Sequence, residues 1–234
     1  MYYEREVIAL IPARGGSKGV PRKNLLTLGG ISLVELAFKS AKSCEVVDSI
    51  YISTDDKEIC DLALRLGANV HSRSASSSND SSTAADLVQE FIRDLGKHLG
   101  EKDPLLVYLQ PTSPFRNWQH LDNAFKALEI GNSLRSVSVV EDVQTPFKSV
   151  RLDSMGRILP LLQNNDLSQN RQDLPKTYRP NGAIYIFPLS TFLEGNAFPI
   201  EGSTPFMMSI EDSLDIDSYA DLARANEIWE RRNG

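Results

Sequence analysis

Residues 7–13 (VIALIPA) form an uncharged, largely apolar run that breaks directly into a cationic loop. Apolar residues without polar alternation over that length suit a strand covered on both faces, as in a parallel sheet with helices on each side. The N-terminal half repeats this theme. Residues 32–43 have helical spacing, with Ser32 and Glu35 placed as a capping box. A strand is predicted at 49–53, then a helix opened by Asp55 and Glu58 and stopped by Gly67. A short strand at 68–71 precedes a helix capped by Thr83 and Asp86 that runs to about residue 99. LLVYLQ at 105–110 reads as a strand, 117–129 as a helix and 135–140 as a strand. This order predicts an α/β protein with a doubly wound, mostly parallel sheet.

After residue 141 the pattern breaks. Residues 141–180 are polar, with turn signals around 153–156, and read as an inserted hairpin or arm within a single domain spanning 1–234. A strand at 181–187 and an amphipathic helix at 218–232 follow, while 74–78 reads as a serine-rich loop. The formal net charge of -6 argues against a nucleic-acid or membrane-surface partner, since both are polyanions. No segment is apolar over the length of a membrane span, and MYYEREV does not read as a leader. Cys44 and Cys60 lack metal-ligand spacing and are expected as free thiols, so the expected location is cytoplasmic. The sequon at 79–81 has no meaning in that compartment.

In an open parallel sheet, ligands bind beyond the carboxyl ends of the strands. There the first strand is followed by PARGGSKGVPRKN, with three glycines and four cations in thirteen residues. Glycines let backbone N–H groups approach an anion, and Arg14, Lys18, Arg22 and Lys23 can neutralise phosphate charge. The spacing is neither that of a P-loop nor that of a dinucleotide fingerprint. Asp55 after the second strand is read as a helix cap. Arg73 follows the third strand, either as a surface residue or facing the same crevice. Gln110 opens a turn with two prolines and is either structural or a reader of base or sugar. Asp215 and Asp217 are spaced i, i+2, so an extended segment would place both carboxylates on one face. They suit Mg²⁺, or they form a capping cluster with Ser218 and Asp221. His71, His98 and His120 read as isolated, and no serine or cysteine arrangement indicates a covalent nucleophile.

Taken together, these blocks resemble the acylneuraminate cytidylyltransferases, the CMP-sialic acid synthetases. IALIPARGGSKGVPRKN matches the family's N-terminal signature. YISTDD, the R-x-A block with its Ser/Thr-rich loop, LQPTSPFR, QNRQDLPKTYRPNGAIYIF and S-L-D-I-D follow in the family's order over essentially the whole chain. The resemblance implies a nucleotidyltransferase fold of the nucleotide-diphospho-sugar transferase type, and a homodimer in which one subunit's arm helps close the partner's site. It implies that the anomeric hydroxyl of a nine-carbon 2-keto sugar acid attacks the α-phosphate of CTP in line, giving the CMP-sugar acid and pyrophosphate. Such transfers need positioning and charge neutralisation more than a protein nucleophile.

The resemblance assigns catalytic roles to Arg14, Lys23 and Asp215. It gives nucleotide contacts to Arg14, Gly15, Ser17, Lys23, Asn24, Arg73, Ser82, Thr83 and Gln110, and Mg²⁺ or Mn²⁺ to Asp215 and Asp217. Gln110, Lys148, Arg171, Asn181, Tyr185 and Phe198 are assigned to the sugar acid, with Arg171 the natural bidentate partner of its carboxylate. Ala84 stands where a further serine would be looked for near the base. The octulosonate cytidylyltransferases share the fold but carry a different first loop; a non-catalytic nucleotide sensor of the same fold is the other alternative. The arm and turns most resemble the bacterial legionaminic and pseudaminic acid enzymes.

Overall fold

Side chains of β1 (Val7–Pro12) alternate between two apolar layers, so the run is continuous in sequence and two-sided in space. Val7, Ala9 and Ile11 enter a core with Val34, Phe38, Ile59 and Leu121, while Ile8 and Leu10 enter a second with Leu87, Phe91 and Phe192. The computed structural model describes residues 2, 4–16, 19–78, 81–96, 103–162 and 167–234. The further strands are β2 (Thr27–Leu28), β3 (Ile31–Ser32), β4 (Ser49–Thr54), β5 (Asn69–Ser72), β6 (Leu105–Tyr108), β7 (Ser136–Glu141), β8 (Val150–Leu152), β9 (Ile158–Pro160), β10 (Tyr178–Pro188) and β11 (Thr204–Met207). The helices are α1 (Leu33–Lys42), α2 (Lys57–Leu66), α3 (Ala75–Ser78), α4 (Ala84–Leu95), α5 (Trp118–Ile130), α6 (Leu189–Gly195) and α7 (Tyr219–Asn233).

The main sheet has seven strands in the order β11-β7-β10-β6-β1-β4-β5. It is parallel except for β10, which runs antiparallel between β6 and β7. β4 and β6 flank β1 on opposite sides, so the chain reverses its winding at β1 and opens a crevice at the carboxyl ends. Backbone bonds extend the ladders past the strands: Ala13 N donates to Ser53 O at 2.8 Å, Leu109 N to Leu10 O at 3.0 Å and Arg73 N to Thr54 O at 3.0 Å. Four loops therefore leave the sheet side by side.

The expected elements occur, with differences that have physical causes. Asp56, not Asp55, caps α2, accepting from Glu58 N at 2.8 Å and Ile59 N at 3.1 Å. Gly67 ends that helix at φ 79. Residues 74–78 are not a plain loop but include the helical turn α3, tied down by Glu90, which accepts from Ser74 N at 3.0 Å and from the Ser77 hydroxyl. The β2–β3 hairpin, α6 and β11 have no counterpart in the sequence reading, because each is short and forms against neighbours already in place. The 141–180 region contains the β8–β9 hairpin, whose turn is closed by Asp153 accepting from Met155 N at 2.8 Å and Arg157 N at 2.9 Å.

His71 is not isolated. Its Nδ1 lies 2.8 Å from Ser53 Oγ and its Nε2 lies 3.2 Å from Asp94 Oδ2. Ser53 is fully buried in the sheet, so no substrate reaches it, and this Ser-His-Asp line is an interior polar link between β4, β5 and α4. His98 lies outside the described residues. His120 sits 3.7 Å from Asp212, and burial holds it below the ordinary histidine value.

Phe91 is fully buried and meets Tyr51 and His71 edge-on at 5.2 and 5.3 Å, seating α4 on the sheet. Phe91→Ala is expected to lower unfolding free energy by about 4 kcal/mol in urea denaturation. A loss below ~1 kcal/mol would mean that α4 is not seated by this residue.

Candidate active site

The first loop is built to approach something closely. A Cβ at Gly19 would stand 2.4 Å from the Asp217 carbonyl oxygen, so only glycine lets this loop touch the segment that carries the aspartates. Gly15 N donates to Asp55 Oδ1 at 2.9 Å, and Asn24, nearly buried, donates through Nδ2 to Arg14 O at 2.9 Å. With Asp56 capping α2, Asp55 is left to anchor the glycine loop. Ser17 and Lys18 lie outside the described residues. Arg22 turns away and pairs with Glu58 at 2.6 Å on α2, so of the loop's four cations it is not a phosphate candidate.

A cleft of about 400 Å³ opens beyond β1, β4 and β6, lined by Arg14, Lys23, Asn24, Arg73, Ser82, Thr83, Gln110, Asp215 and Asp217 among others. Nearly all the described residues assigned to nucleotide and metal thus share one crevice; Gly15 is not among its lining residues, although its neighbours Arg14 and Gly16 are. Arg73 donates through Nε to Ser77 O at 3.0 Å, which aims it across α3, and burial pulls the pKa of its guanidinium below the ordinary arginine value. Ser82 Oγ donates to Ser76 O at 2.7 Å, and Thr83 caps α4 in a reciprocal box with Asp86. Tyr108 forms part of the lining and packs against Phe198 at 5.0 Å.

Asp215 and Asp217 differ sharply. Asp217 is exposed and paired with Lys23 Nζ at 2.8 Å. Asp215 is half-buried; burial first, and then the Asp217 charge, push its carboxyl above the usual range, against a Thr112 hydrogen bond and Lys23. Its Oδ1 is buried without a hydrogen-bond partner. Among the described residues no group of three or more His, Cys, Asp or Glu side chains gathers to hold a metal. Two hard oxygen donors, one of them orphaned, fit a Mg²⁺ ion that takes its other ligands from water and phosphate.

The residues assigned to the sugar acid are more dispersed. Gln110 lies on the cleft, its Oε1 against Gly182, where φ is 79 and a Cβ would come within 2.5 Å. Tyr185 is partly buried, and burial followed by the charge of Asp215 raises its phenol. Asn181 has its side chain used within the protein: Oδ1 accepts from Ser138 Oγ at 2.5 Å and Ala183 N at 3.1 Å, and Nδ2 donates to Ser213 Oγ at 2.8 Å and to Met208 Sδ at 3.2 Å. Phe198 sits among Tyr108, Tyr185, Phe187 and Phe192 as a wall behind the cleft. Lys148 donates to Leu167 O at 2.5 Å and also to Gln169 O, and Arg171 is exposed on a turn at Arg171–Asp173. Neither Lys148 nor Arg171 lines the cleft of its own chain.

Sequence reasoning missed Asp55 as a loop anchor, Tyr108 as lining, Thr112 as the partner of Asp215, and Arg116. Arg116 is buried and donates through Nη1 to Gln110 O at 2.8 Å and Ala183 O at 3.0 Å. Burial pushes its guanidinium down to about 9, still protonated at neutral pH. A tyrosine inside an otherwise apolar strand was a readable signal for Tyr108; Asp55, Thr112 and Arg116 lie within the YISTDD and LQPTSPFR blocks, but their partners Gly15, Ile216 and Ala183 are distant in sequence.

A doubly wound sheet with a cationic glycine loop and an aspartate pair at its switch point places a ligand crevice where open α/β folds bind nucleotides. The chain belongs to the cytidylyltransferase family, whose model matches residues 8–201. It is 32% identical over 217 residues to an N-acylneuraminate cytidylyltransferase of Streptococcus agalactiae serotype III, covering 92% of this chain and 51% of that protein. It is also 32% identical over 229 residues to the CMP-N,N'-diacetyllegionaminic acid synthase of Legionella pneumophila, covering 96% of each. The chain spans about half the length of several curated relatives it matches. The fold is that of CMP:2-keto-3-deoxy-manno-octonic acid synthetase, solved with CTP, at a TM-score of 0.68 and 14% identity over 97% of this chain and 99% of that one.

A carboxyl raised by folding binds its proton more tightly in the folded state, so stability falls as pH rises from the ordinary 3.8 through the folded value. Asp215→Asn is therefore expected to stabilise the protein at neutral pH by about 1 kcal/mol, a gain that disappears below the ordinary carboxylate range. Denaturation curves across pH that show no gain at neutrality would mean that the buried charge carries no such strain.

Proposed function

We propose that this chain is a cytidylyltransferase that joins CTP to a nine-carbon 2-keto sugar acid of the neuraminate, legionaminate or pseudaminate type, releasing pyrophosphate. The observation that carries the reading is the convergence of Arg14, Lys23, Asp215 and Asp217 on one cleft in a chain of this family. The Legionella relative, which matches nearly end to end, supports a nonulosonic acid as acceptor.

In this reading Arg14 and Lys23 neutralise the triphosphate, with Gly15, Ser17 and Asn24 supporting the loop that wraps it. Arg73, Ser82, Thr83 and Gln110 face the base and ribose. Asp215 and Asp217 would hold Mg²⁺ (or Mn²⁺), which when bound supplies charge neutralisation at the phosphates. The acceptor's anomeric oxygen forms a bond to the α-phosphorus as the bond to the pyrophosphate oxygen breaks; pyrophosphate leaves with that electron pair, and the hydroxyl proton passes to solvent water. Gln110, Asn181, Tyr185 and Phe198 shape the acceptor side, Asn181 through the hydrogen-bonded frame it holds.

Lys148 and Arg171 enter the site from a second copy. Support comes from their absence from the cleft of their own chain, and from the exposed apolar side chains of Val150, Leu152, Met155, Ile158, Leu161 and Leu162 on and beside the arm. The reading thus includes a homodimer built around the 141–180 arm of a single-domain chain, with no nucleic-acid or membrane partner. No helix among the described residues is long and apolar enough to cross a membrane. The unpaired thiols of Cys44 and Cys60 are consistent with the cytoplasm.

The decisive measurement is pyrophosphate release from CTP and Mg²⁺ with neuraminic, legionaminic, pseudaminic and octulosonic acids in parallel. Release with one nine-carbon acid is expected; release with the octulosonic acid alone moves the chain to the neighbouring branch. Silence with all four while CTP still binds favours a sensor. Asp215→Ala should cut metal-dependent turnover by about a hundredfold or more while the fold persists, and near-normal activity would remove Asp215 from the metal site. Arg171→Ala should raise KM for the acid about tenfold and leave KM for CTP unchanged; an effect confined to CTP would contradict its place at the carboxylate. Sedimentation should show a dimer, and an active monomer would contradict the shared site.

A further inference from the structure

Arg116 lies 3% exposed, and among the described residues no carboxylate stands within ion-pair distance of it. Burying a guanidinium without a counter-ion is unfavourable, and an apolar side chain would fill the same space at lower cost. What the cation supplies is a set of directed bonds. Nη1 donates to Gln110 O and to Ala183 O, while Nε reaches Ser40 Oγ on α1 at 3.3 Å. The two carbonyls belong to residues on either side of the contact between the Gln110 amide and the bare Cα of Gly182.

The same turn also holds the aspartate segment. Ile216 N donates to Thr112 O at 2.9 Å, and Thr112 and Asp215 line the same cleft. Beyond the β6–β10 ladder, which ends at Tyr108 and Tyr185, a single buried nitrogen ties the 110–113 turn to β10, and the turn in its place sets Gln110 on one side and the Asp215 segment on the other. Arg14 and Lys23 come from a different loop with its own anchors, Asp55 and Asn24.

We infer that Arg116 is a positioning residue for cytidylyl transfer, a latch that holds the acceptor side of the cleft in register with the metal side without touching substrate. This rests on the proposed transferase reading. Because the triphosphate loop keeps its own anchors at Asp55 and Asn24 and, among the described residues, meets the aspartate segment only through exposed Asp217 and Gly19, loss of the latch should weaken acceptor use more than CTP binding.

The test is Arg116→Lys, which keeps the charge but loses the planar fork, with Ser40→Ala as a control that removes only the contact to α1. For R116K we expect CTP affinity by calorimetry to stay within about threefold of wild type while kcat/KM for the sugar acid falls about tenfold or more. Amide hydrogen exchange at Ser113 and Ile216 should speed up about tenfold, with α2 unchanged, and S40A should resemble wild type throughout. A lower melting temperature with unaltered exchange and unaltered constants per folded molecule would make Arg116 a space filler and overturn the proposal. Parallel losses of CTP affinity and acceptor use would overturn it as well. Should R116K not fold, Arg116→Gln, neutral and able to donate to a carbonyl, is read by the same criteria. If the wild-type protein turns over none of the acids, the transferase reading fails, and the exchange data still decide whether the latch exists.

Discussion

The parallel pairing of β1 with β4 on one side and β6 on the other is the constraint on which the rest depends. Parallel strands end together, so the loops after β1, β4, β5 and β6 emerge along one edge, and the backbone bonds at Ala13, Arg73 and Leu109 carry that alignment past the strands. The glycine loop, Asp55, Arg73 and the 110–113 turn are neighbours for this reason alone. β10, inserted antiparallel beside β6, brings Gly182 and Tyr185 to the same edge from the other direction.

Buried charged and amide groups near the cleft contrast with Asp215. Glu90 is buried yet satisfied by Ser74 and Ser77, and Asn181 is buried with its amide engaged on both atoms. Asp215 keeps an unpartnered oxygen beside the like charge of Asp217. Unsatisfied groups in native structures are uncommon, and they gather where a ligand completes them. The backbone around Asp215 is tied down by hydrogen bonds: Ile216 N donates to Thr112 O, and Arg116 donates to Gln110 O at the start of the same turn.

Several residues changed roles between sequence and structure, each through competition among adjacent groups. Asp55 and Asp56 were equally able to cap α2; the helix took Asp56, and the glycine loop took Asp55. Arg22 and Lys23 are adjacent cations, but Arg22 has φ 53 and faces Glu58, while Lys23 faces Asp217. His71 gained a serine and an aspartate from elements 18 and 23 residues away, which no local pattern could announce.

Sequence by itself determined the layered α/β architecture, because apolar periodicity and capping residues act over a few positions and are written locally. It determined the cationic glycine loop and the aspartate pair for the same reason. The tertiary structure alone decided which of two neighbouring aspartates anchors the loop, that Arg116 is buried beneath the 110–113 turn, and that Lys148 and Arg171 stand away from their own chain's cleft. Those outcomes depend on contacts between segments distant in sequence, where the partner of each charge is chosen by the geometry of the sheet edge and not by its neighbours along the chain.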